Sequence, residues 1–298
     1  MSAKKLPSTA TSPPRTSLVA LACFLAAVFA TTWVVWVPRA LQSHHLIGGD
    51  WAVSLGVGWT YAPAFAAVAF VAFTGGRRSL ADLRRRLLDW RIGWRWFAAI
   101  ALIPMAIAVS TATTYAVLGG SFSSAVPAAL ELPLPLIPVI IAIRALTDGL
   151  GEEMAWRGVA LPGLLQHMNA VTASLVLGLV WAMWHLPLIL TSGSLMANDS
   201  IALLFVLLPA EAVVYTWVFR NTNGSVLAAV LFHAIIGLWA IASPLAEATG
   251  RPEAIRAGLW VVLAAGLVAR HGLSLTGRSA HAPGKPAAAP APVESTLG

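Results

Sequence analysis

Charge is scarce in this sequence. Only 10% of its 298 residues are Asp, Glu, Lys or Arg, whereas a soluble domain carries about 25%. Apolar residues make up 58%, and the mean hydropathy is +0.78. This deficit excludes an ordinary water-soluble domain, because most of the chain must face a solvent other than water. Cysteine is nearly absent as well. The single Cys23 cannot close an internal disulfide, and within its apolar run it reads as a small hydrophobe, so it says nothing of a redox compartment. No repeat of 20–50 residues is visible, which excludes a solenoid. The net charge of +7 could suggest a nucleic-acid partner. In a membrane chain, however, basic residues gather in cytoplasmic loops, and that reading is preferred here.

Crossing ~30 Å of hydrocarbon takes about 20 apolar residues. Eight runs meet or approach this length: 17–37, 52–74, 96–118, 137–161, 170–190, 200–219, 225–244 and 255–270. The expected fold is an all-α transmembrane helix bundle of about eight spans enclosing a buried intramembrane cavity. The fourth run carries charges and the eighth is short, so hydropathy ranks those two lowest. The first run is longer than the roughly 7–15 residues of a signal-peptide core, so it reads as a retained span. Residues 1–16 and 273–298 are rich in Pro, Ala and Ser and cannot bury a core. They are expected to be disordered tails on a membrane domain of 17–272.

With eight spans and a cytoplasmic N-terminus, cytoplasmic segments hold 14 of the 19 Lys and Arg, and the opposite side holds Arg39, Arg251 and Arg256. This asymmetry predicts that both termini are cytoplasmic. The chain is expected to be an integral membrane protein, in a bacterial plasma membrane. Within the basic stretch, Leu80, Leu83, Leu87 and Trp90 share one helical face. Ser79–Trp90 is therefore expected as a surface helix, capped by Ser79 and Asp82, with Arg84, Arg85 and Arg86 toward anionic headgroups.

Ionisable groups inside spans are costly, so each is a functional candidate. They are Arg144, Asp148, Glu152, Glu153 and Arg157 in the fourth span, His185 in the fifth, Glu211 in the sixth and His233 in the seventh. Spacings of four residues predict that Arg144 pairs with Asp148, and Glu153 with Arg157. Glu152 is left without a dedicated cation. A desolvated, unpaired carboxylate is expected to titrate high, which suits a general base. At ~1.5 Å per residue, Glu152, His185 and His233 lie ~15, ~24 and ~12 Å from the cytoplasmic ends of their helices, depths that overlap within the error of those ends. A structural charge network is the competing reading of the same spacing. Glu211 is expected to brace this network through Arg220 or a backbone group, or to line the substrate path.

Three short motifs now coincide. Glu152 to Arg157 resembles the EExxxR motif of the CAAX-protease and bacteriocin-processing (CPBP) family of intramembrane glutamic endopeptidases, which includes the CAAX prenyl protease 2 and lysostaphin-resistance-protein-A-like types. Trp181 to His185 resembles its FxxxH motif, with Trp in place of Phe. His233 to Gly237 resembles its HxxxN motif, with Gly in place of Asn. The resemblance covers roughly residues 75–240. It implies peptide hydrolysis by a glutamate-activated water. Glu152 would be the general base, His185 would hold and activate the water, and His233 would stabilise the oxyanion. Glu153 and Arg157 would act as a supporting pair, with Trp181 filling space beside the site. The family Asn would donate a second oxyanion hydrogen bond, so Gly237 implies a lost donor. Restoring Asn there is expected to preserve or raise the rate if it fits.

No cofactor is expected. The alternative is a zinc metalloprotease in which Glu152, His185 and His233 are the ligands, although the HExxH spacing is missing. A third reading is a non-catalytic membrane protein, such as an immunity factor, scaffold or transporter. The expected partners are the bilayer and a membrane-associated peptide or protein substrate. Prenyl recognition is inherited only through the resemblance.

Overall fold

The computed structural model describes residues 16–49, 56–121, 133, 135–197, 199–242, 245 and 250–277. Nearly all of both expected tails lies outside these residues. Every regular element among the described residues is helical. Eight long helices follow one another: α1 (Leu18–Ser43), α2 (Ala62–Leu87), α3 (Trp94–Val117), α4 (136–164), α5 (Ala170–Ile189), α6 (Ile201–Asn221), α7 (Val226–Ala242) and α8 (Arg251–His271). They correspond one for one with the eight apolar runs.

Six of them are long and apolar enough to cross a bilayer. The exceptions are α4 and α7. In α4 the helix is interrupted by two π-helical turns, Ala145–Gly149 and Trp156–Ala160, on either side of the α-helical Leu150–Ala155. Helix α7 has only 17 residues. The eighth helix, by contrast, is longer than its apolar run: Pro252 at its first turn and Glu253 extend it upstream, since proline is tolerated where the N–H is unpaired anyway.

Helix ends carry the expected caps. Asn169 accepts from the Thr172 N–H, and Ser200 from the Leu203 N–H, satisfying otherwise orphaned donors. The core sits around α5 and α6. Two-thirds of the α6 span is buried inside the protein, against 17% for α3, so α3 is peripheral. Ser174 donates to Thr216 over 2.7 Å, pinning α5 to α6. Such side-chain bonds hold membrane helices together where apolar burial gives no preference over lipid.

The basic stretch forms a helical segment of its own, over 77–87 and not to Trp90. Non-helical backbone at Gly76, whose φ of 60° and ψ of −153° suit glycine, sets it off from the rest of α2. Leu83 is buried, with Leu80 and Leu87 packed on the core, while Trp90 lies beyond the helix and is exposed. The leucine face therefore turns into the bundle. Arg84 and Arg85 are exposed, but Arg86 is not free for headgroups: it pairs with Asp82 and donates to the Gly158 carbonyl over 3.0 Å.

Candidate active site

The four-residue spacings in α4 behave as expected. Arg144 Nη1 lies 2.8 Å from Asp148 Oδ2. Arg157 Nη1 donates to both oxygens of Glu153, at 2.9 and 3.0 Å, and both side chains are fully buried. The rest of the Arg157 guanidinium has no hydrogen-bond partner among the described residues but lies 3.8 Å from the centre of the Tyr215 ring and 4.9 Å from that of Trp181. Two aromatic faces thus stabilise the cation where water is excluded.

Glu152 is buried and pairs with no Lys or Arg among the described residues, yet it is not unpartnered. Its Oε2 accepts from the indole N–H of Trp156 at 3.1 Å and from that of Trp181 at 2.7 Å. The carboxylate without a dedicated cation is thus held on one oxygen by two neutral donors. Its other oxygen, Oε1, lies 4.0 Å from His233 Nε2, too far for a direct hydrogen bond. Close approach brings this region together: a Cβ on Gly151 would collide with the Thr60 carbonyl, so glycine lets the short 3-10 turn Gly56–Tyr61, just before α2, seat beside Glu152.

His233 reaches the site from α7. Its Nδ1 lies 3.0 Å from Glu153 Oε1. Because a carboxylate paired with arginine only accepts, that nitrogen carries the proton. Glu153 consequently joins Arg157 and His233. On α5, His185 Nδ1 lies 2.9 Å from the Trp181 carbonyl of its own helix. A carbonyl only accepts, so Nδ1–H is the donor and Nε2 of the neutral ring keeps a lone pair. Trp181 sits between the two histidines, its ring centre 5.8 Å from that of His185 and 6.0 Å from that of His233. It is a hydrogen-bond donor to Glu152, not only a space filler.

The structure thus gathers Glu152, Glu153, Arg157, Trp181, His185 and His233 from α4, α5 and α7 into one network, in which the two histidines are half-buried and the other four side chains buried. Among the described residues, no three or more His, Cys, Asp or Glu side chains converge as a metal-ligand set.

Matched against known families, residues 134–239 fit the profile described as Type II CAAX prenyl endopeptidase Rce1-like. This segment resembles the CAAX-protease family. A curated relative, CAAX prenyl protease 2 of Methanococcus maripaludis, is 22% identical over 253 residues, covering 82% of this chain and 92% of the relative. Both matches support a membrane endopeptidase, and all three motifs fall inside the matched region.

Two participants carry no signal in the motif spacing. Trp156 occupies an unspecified position within Glu152–Arg157, and Tyr215 lies on α6, outside the motifs. A buried tryptophan four residues after a glutamate is the trace that could have revealed the first. Glu211 is buried, but it forms no ion pair with Arg220 among the described residues.

Proposed function

We propose that the chain hydrolyses membrane-associated peptide substrates through a water activated by Glu152 and His185. The observation that carries this reading is the division of labour within Glu152: Oε2 is committed to two indoles, while Oε1 is left facing His233. A water has two protons, and Oε1 and the His185 lone pair are two acceptors for them. As the water oxygen attacks the scissile carbonyl carbon, one proton passes to Glu152. The carbonyl π bond becomes an oxyanion. Collapse re-forms the carbonyl and breaks the C–N bond, and the amine leaves with the proton from Glu152. With Nδ1–H donating to Glu153, His233 can donate from Nε2 as the imidazolium, a cation flanked by Glu152 and Glu153. Aromatic walls keep the site dry, which strengthens each donor aimed at developing charge.

The positive-charge asymmetry supports cytoplasmic termini, and the name of the methanogen relative supports a prenylated C-terminal peptide as first probe. The test is turnover of an internally quenched, farnesylated CAAX peptide by the purified chain in proteoliposomes. Glu152→Gln keeps the shape and removes the base, so the rate should fall by about 10²-fold or more, with folding retained. Full activity in that variant would end the glutamate reading. Chelators are expected to leave the wild-type rate unchanged. Stoichiometric zinc, lost and restored in step with activity, would instead establish the metalloprotease.

A further inference from the structure

Gly237 leaves a space, and that space is filled. A Cβ placed on Gly237 would lie 2.5 Å from Nη2, 2.6 Å from Nε and 2.9 Å from Cζ of Arg144. The guanidinium therefore sits directly on the Cα of Gly237, where a side chain would begin. Position 237 is one turn beyond His233 on the same face of α7, displaced by roughly 6 Å along the axis. The cation is anchored from behind by Asp148, which holds Nη1 at 2.8 Å. Its Nε is buried and has no hydrogen-bond partner among the described residues. An arginine offers five N–H donors in a rigid fork; here one is engaged by the carboxylate while an inner one, packed against Gly237 one turn along α7 from His233, is unspent. Arg144 is also the last residue before the first π-helical turn, a distortion that recurs at functional sites.

We propose that Arg144 is a catalytic residue of this chain, the second donor to the oxyanion, delivered from α4 into the space above Gly237. The inference rests on the hydrolytic reading of the Glu152 site. Glycine at 237 is then what admits the guanidinium, and the sequence-based expectation for Gly237→Asn reverses. In the wild-type background an added side chain must displace Arg144, so it lowers the rate instead of preserving it.

The experiment uses the full chain in proteoliposomes and the same quenched farnesylated peptide, with kcat, KM and thermal stability measured for each variant. Arg144→Ala should lower kcat by about 10²-fold, as loss of an oxyanion donor does, with KM within about twofold because ground-state binding is untouched. Gly237→Asn should also lower kcat. Combining the two should recover at least about tenfold over Arg144→Ala alone, because the amide enters the vacated space and supplies a donor. A purely structural strap between α4 and α7 predicts no such recovery. A kcat for Arg144→Ala within about twofold of wild type, or a double variant no faster than Arg144→Ala, overturns the proposal. Arg144→Met, similar in length without N–H groups, takes the place of the alanine change if that variant does not fold. Glu152→Gln in the same assay separates the two readings. If it stays active, the hydrolytic mechanism falls; if it is dead while Arg144→Met is fully active, only the Arg144 role falls.

Discussion

Trp181 donates its indole N–H to Oε2 of Glu152 across 2.7 Å, so a residue of α5 orients the key carboxylate of α4. The related Trp156 bond comes from within α4 itself. Among the described residues, only the Trp181 hydrogen bond ties two helices together at this carboxylate.

Trp181→Phe restores the residue of the family motif but removes that donor. Hydrogen bonds to charged groups are worth about 1.5–3 kcal/mol, so kcat should fall by roughly 10- to 100-fold if the whole loss appears in the transition state. Thermal stability should change little, because phenylalanine fills much of the same space and Trp156 still satisfies Oε2. Turnover measured beside a melting curve checks this. An unchanged kcat would mean that Trp156 alone positions Glu152.

Glu153→Gln leaves Arg157 buried with no anionic partner. Breaking a buried pair costs about 3–5 kcal/mol, so the folded yield and the melting temperature should both drop. Adding Arg157→Gln should recover part of the yield. Activity should not return, since Glu153 also holds Nδ1 of His233 and a glutamine there no longer stabilises an imidazolium. Detergent-extracted yield and turnover of the single and double variants test this. A double variant with restored activity would remove Glu153 from any role beyond the salt bridge.

Reporter fusions test the orientation. Seven arginines lie between 75 and 95, and this stretch should face the cytoplasm. Fusions after Trp90 and at Pro283 should both report a cytoplasmic location, and a fusion at Asn198 the opposite side. A non-cytoplasmic signal after Trp90 would invert the topology.

Much of this protein follows from local rules. Eight apolar runs become eight helices because a bilayer-length stretch of apolar residues has nowhere to satisfy its backbone except within itself. The Arg144–Asp148 and Glu153–Arg157 pairs form because residues four apart on a helix are neighbours whatever surrounds them. Contacts between helices are another matter. Helix α5 is apolar around its whole circumference, so no stripe in its sequence marks which face turns inward. Only packing decided that Trp181 would meet Glu152. Packing likewise placed Tyr215 under Arg157 and turned Arg86 inward to the Gly158 carbonyl. The two π-helical turns flanking the glutamate pair left no periodicity to read, since each adds a single residue to a turn. Gly237 shows the difference most directly. In the sequence it is a missing side chain; in the fold it is the space that the Arg144 guanidinium fills, because α4 and α7 bring positions 144 and 237 into contact across 93 residues of chain.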